Sequence, residues 1–143
     1  MARQFGTYSP VVQLGLTWEE SITLADEDGT PLDLTGYDAI AQLRPDRAPK
    51  RTNAVLPPPV LQLTTAGYFA EAPSWTVVEA FSIPTPTNGN IIQQVRLEDL
   101  WVVSPNNAKT RLYWSIILVN KTTGYAIPAV EGRCTFLPAR TTA

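Results

Sequence analysis

The chain has 143 residues, 13 of them acidic and 11 basic, with a net charge of −2 and an isoelectric point near 5.0. So weak a field excludes recruitment of nucleic acid or of an anionic membrane by bulk charge. Histidine is absent and Cys134 is the single cysteine, which excludes an internal disulfide and an ordinary Cys/His zinc site.

Thirteen prolines spread along the sequence fit many short strands and turns better than a helical bundle. No apolar run follows Met1–Phe5, so no signal peptide is expected, and no stretch approaches the roughly 20 apolar residues of a membrane-spanning helix. A soluble product made in the cytoplasm is the expectation.

Residues 1–9 are polar with Phe5 and Tyr8 interspersed, the pattern of an N-terminal arm. Val11, Val12 and Leu14 follow Pro10 as a short strand. Trp18, Glu20, Ile22 and Leu24 then share one face of a second strand, with Glu19, Ser21 and Thr23 opposite. Asp26 to Gly29 is an acidic turn. It leads into a clip, Gly29 to Tyr37, in which Leu32 and Leu34 alternate with Asp33 and Gly36 closes a second reversal. Tyr37, Ala39, Ala41 and Leu43 form the apolar face of a third strand; Asp38, Gln42 and Arg44 form its wet face.

Residues 44–53 are loop by composition, and Pro57-Pro58-Pro59 cannot lie in a central strand. The Pro-rich stretch gives the look of an insertion over about 45–75, within which Val60, Leu61 and Leu63 resume an apolar pattern. Residues 67–81 read as strand or helical turn with similar ease. Ile83 to Gly89 is turn chemistry. Asn90 to Leu97 is a strand with Ile91, Gln93, Val95 and Leu97 on one side, and 98–103 fit one helical turn. Leu112, Trp114, Ile116 and Leu118 face one way in the next strand, and its other face (Tyr113, Ser115, Ile117, Val119) is unusually apolar. A hairpin loop at Asn120–Gly124 leads to a last strand with Val130, Gly132, Cys134 and Phe136 on one face and Glu131, Arg133 and Thr135 on the other. Pro138 ends it, and 139–143 form a C-terminal tail. About seven to nine strands with frequent turns predict a single antiparallel β-sandwich over 10–138.

Each stretch with chemical potential has a plainer reading. Asp26-Glu27-Asp28-Gly29 lacks the ligand spacing of a calcium loop, because Leu24 stands where an acid is needed. Asp33 has no partner acid and suits the role of a turn cap. Cys134 has no histidine to activate it and alternates with core residues, as a buried thiol does. Arg44, Arg47, Lys50 and Arg51 are the one basic cluster, without interleaved aromatics to stack bases. Trp75 and Trp101 lie outside the clearest strands and are the candidate glycan contacts. No catalytic residue, cofactor or metal ligand is expected.

Three segments carry a family resemblance. They are Asp28 to Tyr37 followed by Gln42-Leu43-Arg44; Asn88-Gly89-Asn90-Ile91; and Trp114 to Leu118 followed by Val130 to Pro138. Their order and spacing resemble small bacteriophage virion proteins with an immunoglobulin-like β-sandwich, including the amino-terminal domains of baseplate upper proteins and related tail proteins. The chain departs from that pattern at Ser115, where an acidic residue is usual, and in the Pro-rich segment 49–59.

The resemblance implies a non-enzymatic structural role in a virion, in the tail, the baseplate or a fibre attachment, in a protein made in the host cytoplasm. Capsid decoration and carbohydrate binding are the alternatives. The expected partners are other virion proteins and copies of the same chain, with neither nucleic acid nor membrane involved. The apolar second face adds an expected interface at Tyr113, Ile117 and Val119. Further contacts are expected from Phe5 and Tyr8 in the arm, from Arg44, Arg47, Lys50 and Arg51, and from Pro57, Pro58 and Pro59.

Overall fold

The alternation of apolar and polar side chains emerges as nine strands in a computed structural model, which describes residues 6–45, 59–65 and 75–139. They are β1 (Gly6–Thr7), β2 (Val11–Gln13), β3 (Trp18–Thr23), β4 (Tyr37–Pro45), β5 (Leu61–Thr65), β6 (Thr76–Ser82), β7 (Asn90–Val95), β8 (Thr110–Asn120) and β9 (Ala126–Leu137). The described helical structure is two short 3-10 helices, Pro86–Asn88 and Leu97–Val102; the second is the helical turn expected after β7. The protein is all-β.

All nine strands belong to one hydrogen-bonded sheet, in the order β1-β9-β8-β4-β5-β6-β7-β3, with β2 also on β9. The sheet curls until its distant strands meet. Trp18 on β3 touches Trp114 on β8 and Phe136 on β9, with ring centroids 5.6 and 5.8 Å apart. Leu43, Leu61, Leu63, Ile91, Val95, Leu118 and Cys134 complete a core with no exposed surface. The result is a nearly closed, sandwich-like barrel.

Three pairings correct the expectation of a wholly antiparallel sheet. β1 and β2 run parallel to β9, and β5 runs parallel to β6. A tight hairpin forces antiparallel neighbours, as it does for β8 and β9, whereas parallel strands need a longer return. The first and last strands share no hairpin, and β5 and β6 are joined by a connection much longer than a two-residue hairpin turn.

The expected domain limits also shift. Residues 6–9 of the expected arm lie along β9, with the Tyr8 N–H donating to the Glu131 carbonyl at 3.0 Å. The expected insertion over 45–75 contains β5, which sits between β4 and β6 with all five residues buried. Leu61 and Leu63 on one face fill the core, while Gln62 and Thr64 on the other are also covered.

Gly132 shows why the N-terminal segment can lie so close over β9. A Cβ there would fall 1.7 Å from the Tyr8 carbonyl oxygen, so the backbone passes where any side chain would stand. β1 pairs with β9 before this contact and β2 after it, both on the edge that β8 leaves open.

The clip between β3 and β4 behaves as its sequence implies. Leu32 N–H donates to the Leu24 carbonyl at 3.0 Å, and Leu34 N–H to the Pro86 carbonyl at 2.8 Å. Leu34 is buried, Leu32 packs partly against the core, and Asp33 stays largely in solvent. Gly36 has φ of +82°, the left-handed region that glycine enters without penalty.

Candidate functional site

The roll of the sheet leaves a seam between β3 and the β1–β9 edge, and the seam is where unusual chemistry collects. Among the described residues β3 has β7 as its only ladder partner. Leu24 N–H donates to the Gly89 carbonyl beyond the end of that ladder. By antiparallel alternation the main-chain groups of Trp18, Glu20 and Ile22 therefore face β7, and those of Glu19, Ser21 and Thr23 face the seam. A cleft of about 630 Å³ runs along this free edge, with Tyr8 and Val130 on the opposite bank.

Glu20 is the polar member of the inward stripe Trp18-Glu20-Ile22-Leu24, and it is half-buried. Its Oε1 accepts the indole N–H of Trp18 at 3.2 Å. The Glu20 charge, with some burial, pushes the Tyr8 phenol above its ordinary value. Burial, with a smaller contribution from Glu20, pushes the Cys134 thiol far up, so the thiol is held protonated and inert in the core. Across the β3–β7 ladder Glu20 stands opposite Gln93. Gln93 is fully buried, with neither side-chain amide atom hydrogen-bonded among the described residues. Three carboxylates, those of Glu20, Asp26 and Glu27, line the cleft, and among the described residues no lysine or arginine lines it.

The acidic turn beside the cleft is built by local hydrogen bonds. The Thr30 N–H is within reach of Asp26 Oδ1 at 3.1 Å and Asp28 Oδ1 at 3.3 Å. Contact with Asp28 raises the Asp26 carboxyl, while the same contact and Thr30 lower Asp28. Asp33 caps its own turn: Oδ1 accepts from the Thr35 N–H at 3.0 Å and from the Thr35 hydroxyl at 2.6 Å, and these bonds hold the carboxyl below its ordinary range. Among the described residues no group of three or more His, Cys, Asp or Glu is placed to hold a metal ion. No helix among them is long and apolar enough to cross a membrane.

The expected interface on β8 lies on the opposite side of the sheet from the core. Tyr113, Ile117 and Val119 are half-buried, opposite Arg44, Ile40 and Asp38 of β4. Ile40 and Asp38 are buried, so part of this second face is covered within the chain. The Tyr113 hydroxyl donates to Glu131 Oε2 at 2.5 Å. Burial, then this bond and the Glu131 charge, push the phenol up to about 12. Asp38 accepts from the Thr65 hydroxyl at 2.7 Å and lies 3.7 Å from the Lys121 ammonium.

Arg44 is half-buried and its charge is disfavoured by desolvation. Pro59 is buried at the approach to β5. Phe5, Arg47, Lys50, Arg51, Pro57 and Pro58 lie outside the described residues. Tyr8, expected on a free arm, lies on the bank of the seam.

The two candidate glycan contacts part company. The Trp75 indole N–H donates to Gln62 Oε1 at 3.0 Å, and Gln42 donates to the same oxygen at 2.9 Å. Trp101 is 38% exposed on the 3-10 helix Leu97–Val102, beside the exposed Leu97 and Val102.

The seam itself is absent from the sequence expectations. Its one written signal is Glu20 on an otherwise apolar stripe, which marks a position that faces inward without being sealed. No family model matches the chain, and no curated protein matches it.

Proposed function

We propose that this chain is a non-enzymatic structural component of a bacteriophage virion, placed in the tail, baseplate or fibre attachment and working through subunit contacts. The observation that supports this reading best is the amount of large apolar side chain turned to solvent. Tyr125 at the β8–β9 hairpin is 77% exposed and Leu16 before β3 is 61% exposed, with Leu97, Trp101 and Val102 grouped on one short helix. The group on that helix is the kind of apolar surface a neighbour covers. Repetition of the same contact in a symmetric particle then multiplies modest single affinities. The sequence resemblance supplies the virion; the exposed surface supplies the mode of action.

Two measurements test the proposal. Pull-down from disrupted particles with the purified chain is expected to retain virion proteins, and immunogold labelling is expected to mark the tail tip. Label over the whole shell would replace the tail assignment with capsid decoration. A chain that stays monomeric and retains no virion protein would overturn the structural role.

A glycan-binding reading rests on the exposed Trp101 alone. It requires glycan-array binding that Trp101→Ala abolishes, because an indole face is the platform on which a sugar stacks.

A further inference from the structure

We infer that the free edge of β3 is a docking site for an extended, cationic segment of a neighbouring protein, which joins the sheet as an added strand in the seam. The inference deepens the structural role proposed above and rests on it for the identity of the neighbour. β3 is six residues long, contains no proline and no lysine, and shows no register shift along its ladder with β7. Of the devices that usually blunt a sheet edge it carries only charge, in Glu19 and the inward Glu20, and that charge still admits a cationic strand. The N–H and C=O groups of Glu19, Ser21 and Thr23 are directed into the cleft, in the alternating pattern that an incoming strand can satisfy.

Charge decides between occupants. Glu20, Asp26 and Glu27 line the cleft without an accompanying cation among the described residues, and Glu19 is exposed on the outer side of the same strand. A second copy pairing through its own β3 would bring the Glu19-Glu20 pairs of two chains together, and like charges across a ladder are destabilising. A strand carrying lysine or arginine would neutralise the same groups. Its basic side chains would take the inward face that Glu20 shares, beside Tyr8 and Val130, and its alternate apolar side chains the outward face, beside Ser21 and Thr23. Tyr8 is held at the seam by its edge-on contact with Trp114, centroids 6.2 Å apart.

The test uses the full chain and three synthetic hexapeptides with blocked ends: alternating lysine and valine, the same peptide with glutamate for lysine, and the lysine peptide with alternate backbone nitrogens methylated. Binding is followed by titration calorimetry and by amide hydrogen exchange. The lysine peptide is expected to bind saturably and to slow exchange at Glu19, Ser21 and Thr23. Methylation removes main-chain donors but keeps charge and side chains, and is expected to weaken binding at least about tenfold. The glutamate peptide is expected not to bind. Ser21→Pro should abolish binding with the melting temperature preserved, because that N–H faces away from β7.

Failure of the lysine peptide to bind, equal binding of the methylated or glutamate peptide, or protection confined to other strands would overturn the proposal. Concentration-dependent protection of the same three amides without peptide would also overturn it, in favour of self-pairing. A particle that still carries the chain at its tail tip after any of these results keeps the structural role while losing this edge as its means.

Discussion

The indole of Trp18 tilts against that of Trp114 at a centroid distance of 5.6 Å, although β4, β5, β6 and β7 separate their strands along the hydrogen-bonded path. No ladder joins the two residues, so side-chain packing closes the roll. Aromatic pairs of this kind contribute about 0.5–1.5 kcal/mol beyond the area they bury. A double-mutant cycle with Trp18→Leu, Trp114→Leu and the pair, read by urea denaturation, is expected to return a coupling in that range. A coupling of zero would mean that the two halves of the barrel do not lean on each other here.

Gly36 tests the clip. Its φ is positive, and a β-carbon at this position would meet no atom within 4 Å, so the cost of substitution is conformational rather than steric. Gly36→Val is expected to destabilise by more than about 1 kcal/mol, while Gly36→Asn should cost less, since Asn tolerates the left-handed region. Thermal melts of the two variants separate these outcomes, and an unchanged melting temperature for Gly36→Val would refute the account of the turn.

Gly132 tests a different kind of constraint. Here the obstacle is the Tyr8 backbone itself, and even Gly132→Ala must displace the N-terminal segment. The expected loss is about 1–3 kcal/mol, in the range of overpacking. Hydrogen exchange should rise across residues 6–13 and remain unchanged in β4. Uniform destabilisation without local exposure would argue against this close contact.

Alkaline pH provides the fourth test. Tyr113 is raised from 10.0 to about 12, and Cys134 is raised from 9.0 by burial. A group whose pKa is higher in the folded state stabilises fully below its unfolded pKa and loses that contribution as the pH climbs toward the folded one. Stability should therefore hold to about pH 9 and fall progressively from there through about pH 12. Tyr113→Phe should flatten the fall between about pH 10 and about pH 12, and Cys134→Val should flatten it from about pH 9 upward. Melting temperatures of the three proteins against pH decide it; parallel curves would remove both groups as the cause.

Much of the fold is written in plain alternation. The strands around Trp114 and Phe136, the inward stripe of β3, the Asp33–Thr35 cap and the helical turn after β7 follow from period, turn chemistry and local hydrogen bonding. β5 is harder, because it is covered on both faces and so carries no alternation of polarity, and because the prolines before it suggest an edge. β6 is ambiguous because Val77-Val78-Glu79-Ala80 has no clear period. The parallel partners are beyond reach, since the pairing of β1 with β9 depends on how the sheet rolls and not on either segment. The candidate site shares that limit: Glu20 is visible as an odd carboxylate, but the free edge and the opposite bank of the seam exist only once the barrel has curled.

The pairing of β1 with β9 joins Gly6 with Val130, from the first strand to the last. A chain emerging from the ribosome must carry its first strands without their ladder partner until nearly the whole domain has been synthesised. Such long-range closure is slow, and it exposes an unpaired edge for as long as it lasts. The Tyr8–Pro10 segment, with a proline and a serine where it passes close to Gly132, is therefore placed where a waiting edge most needs protection from the wrong neighbour. Barrel closure and the appearance of the β3 cleft then become the same late event, so the cleft is withheld until the last strand is in place.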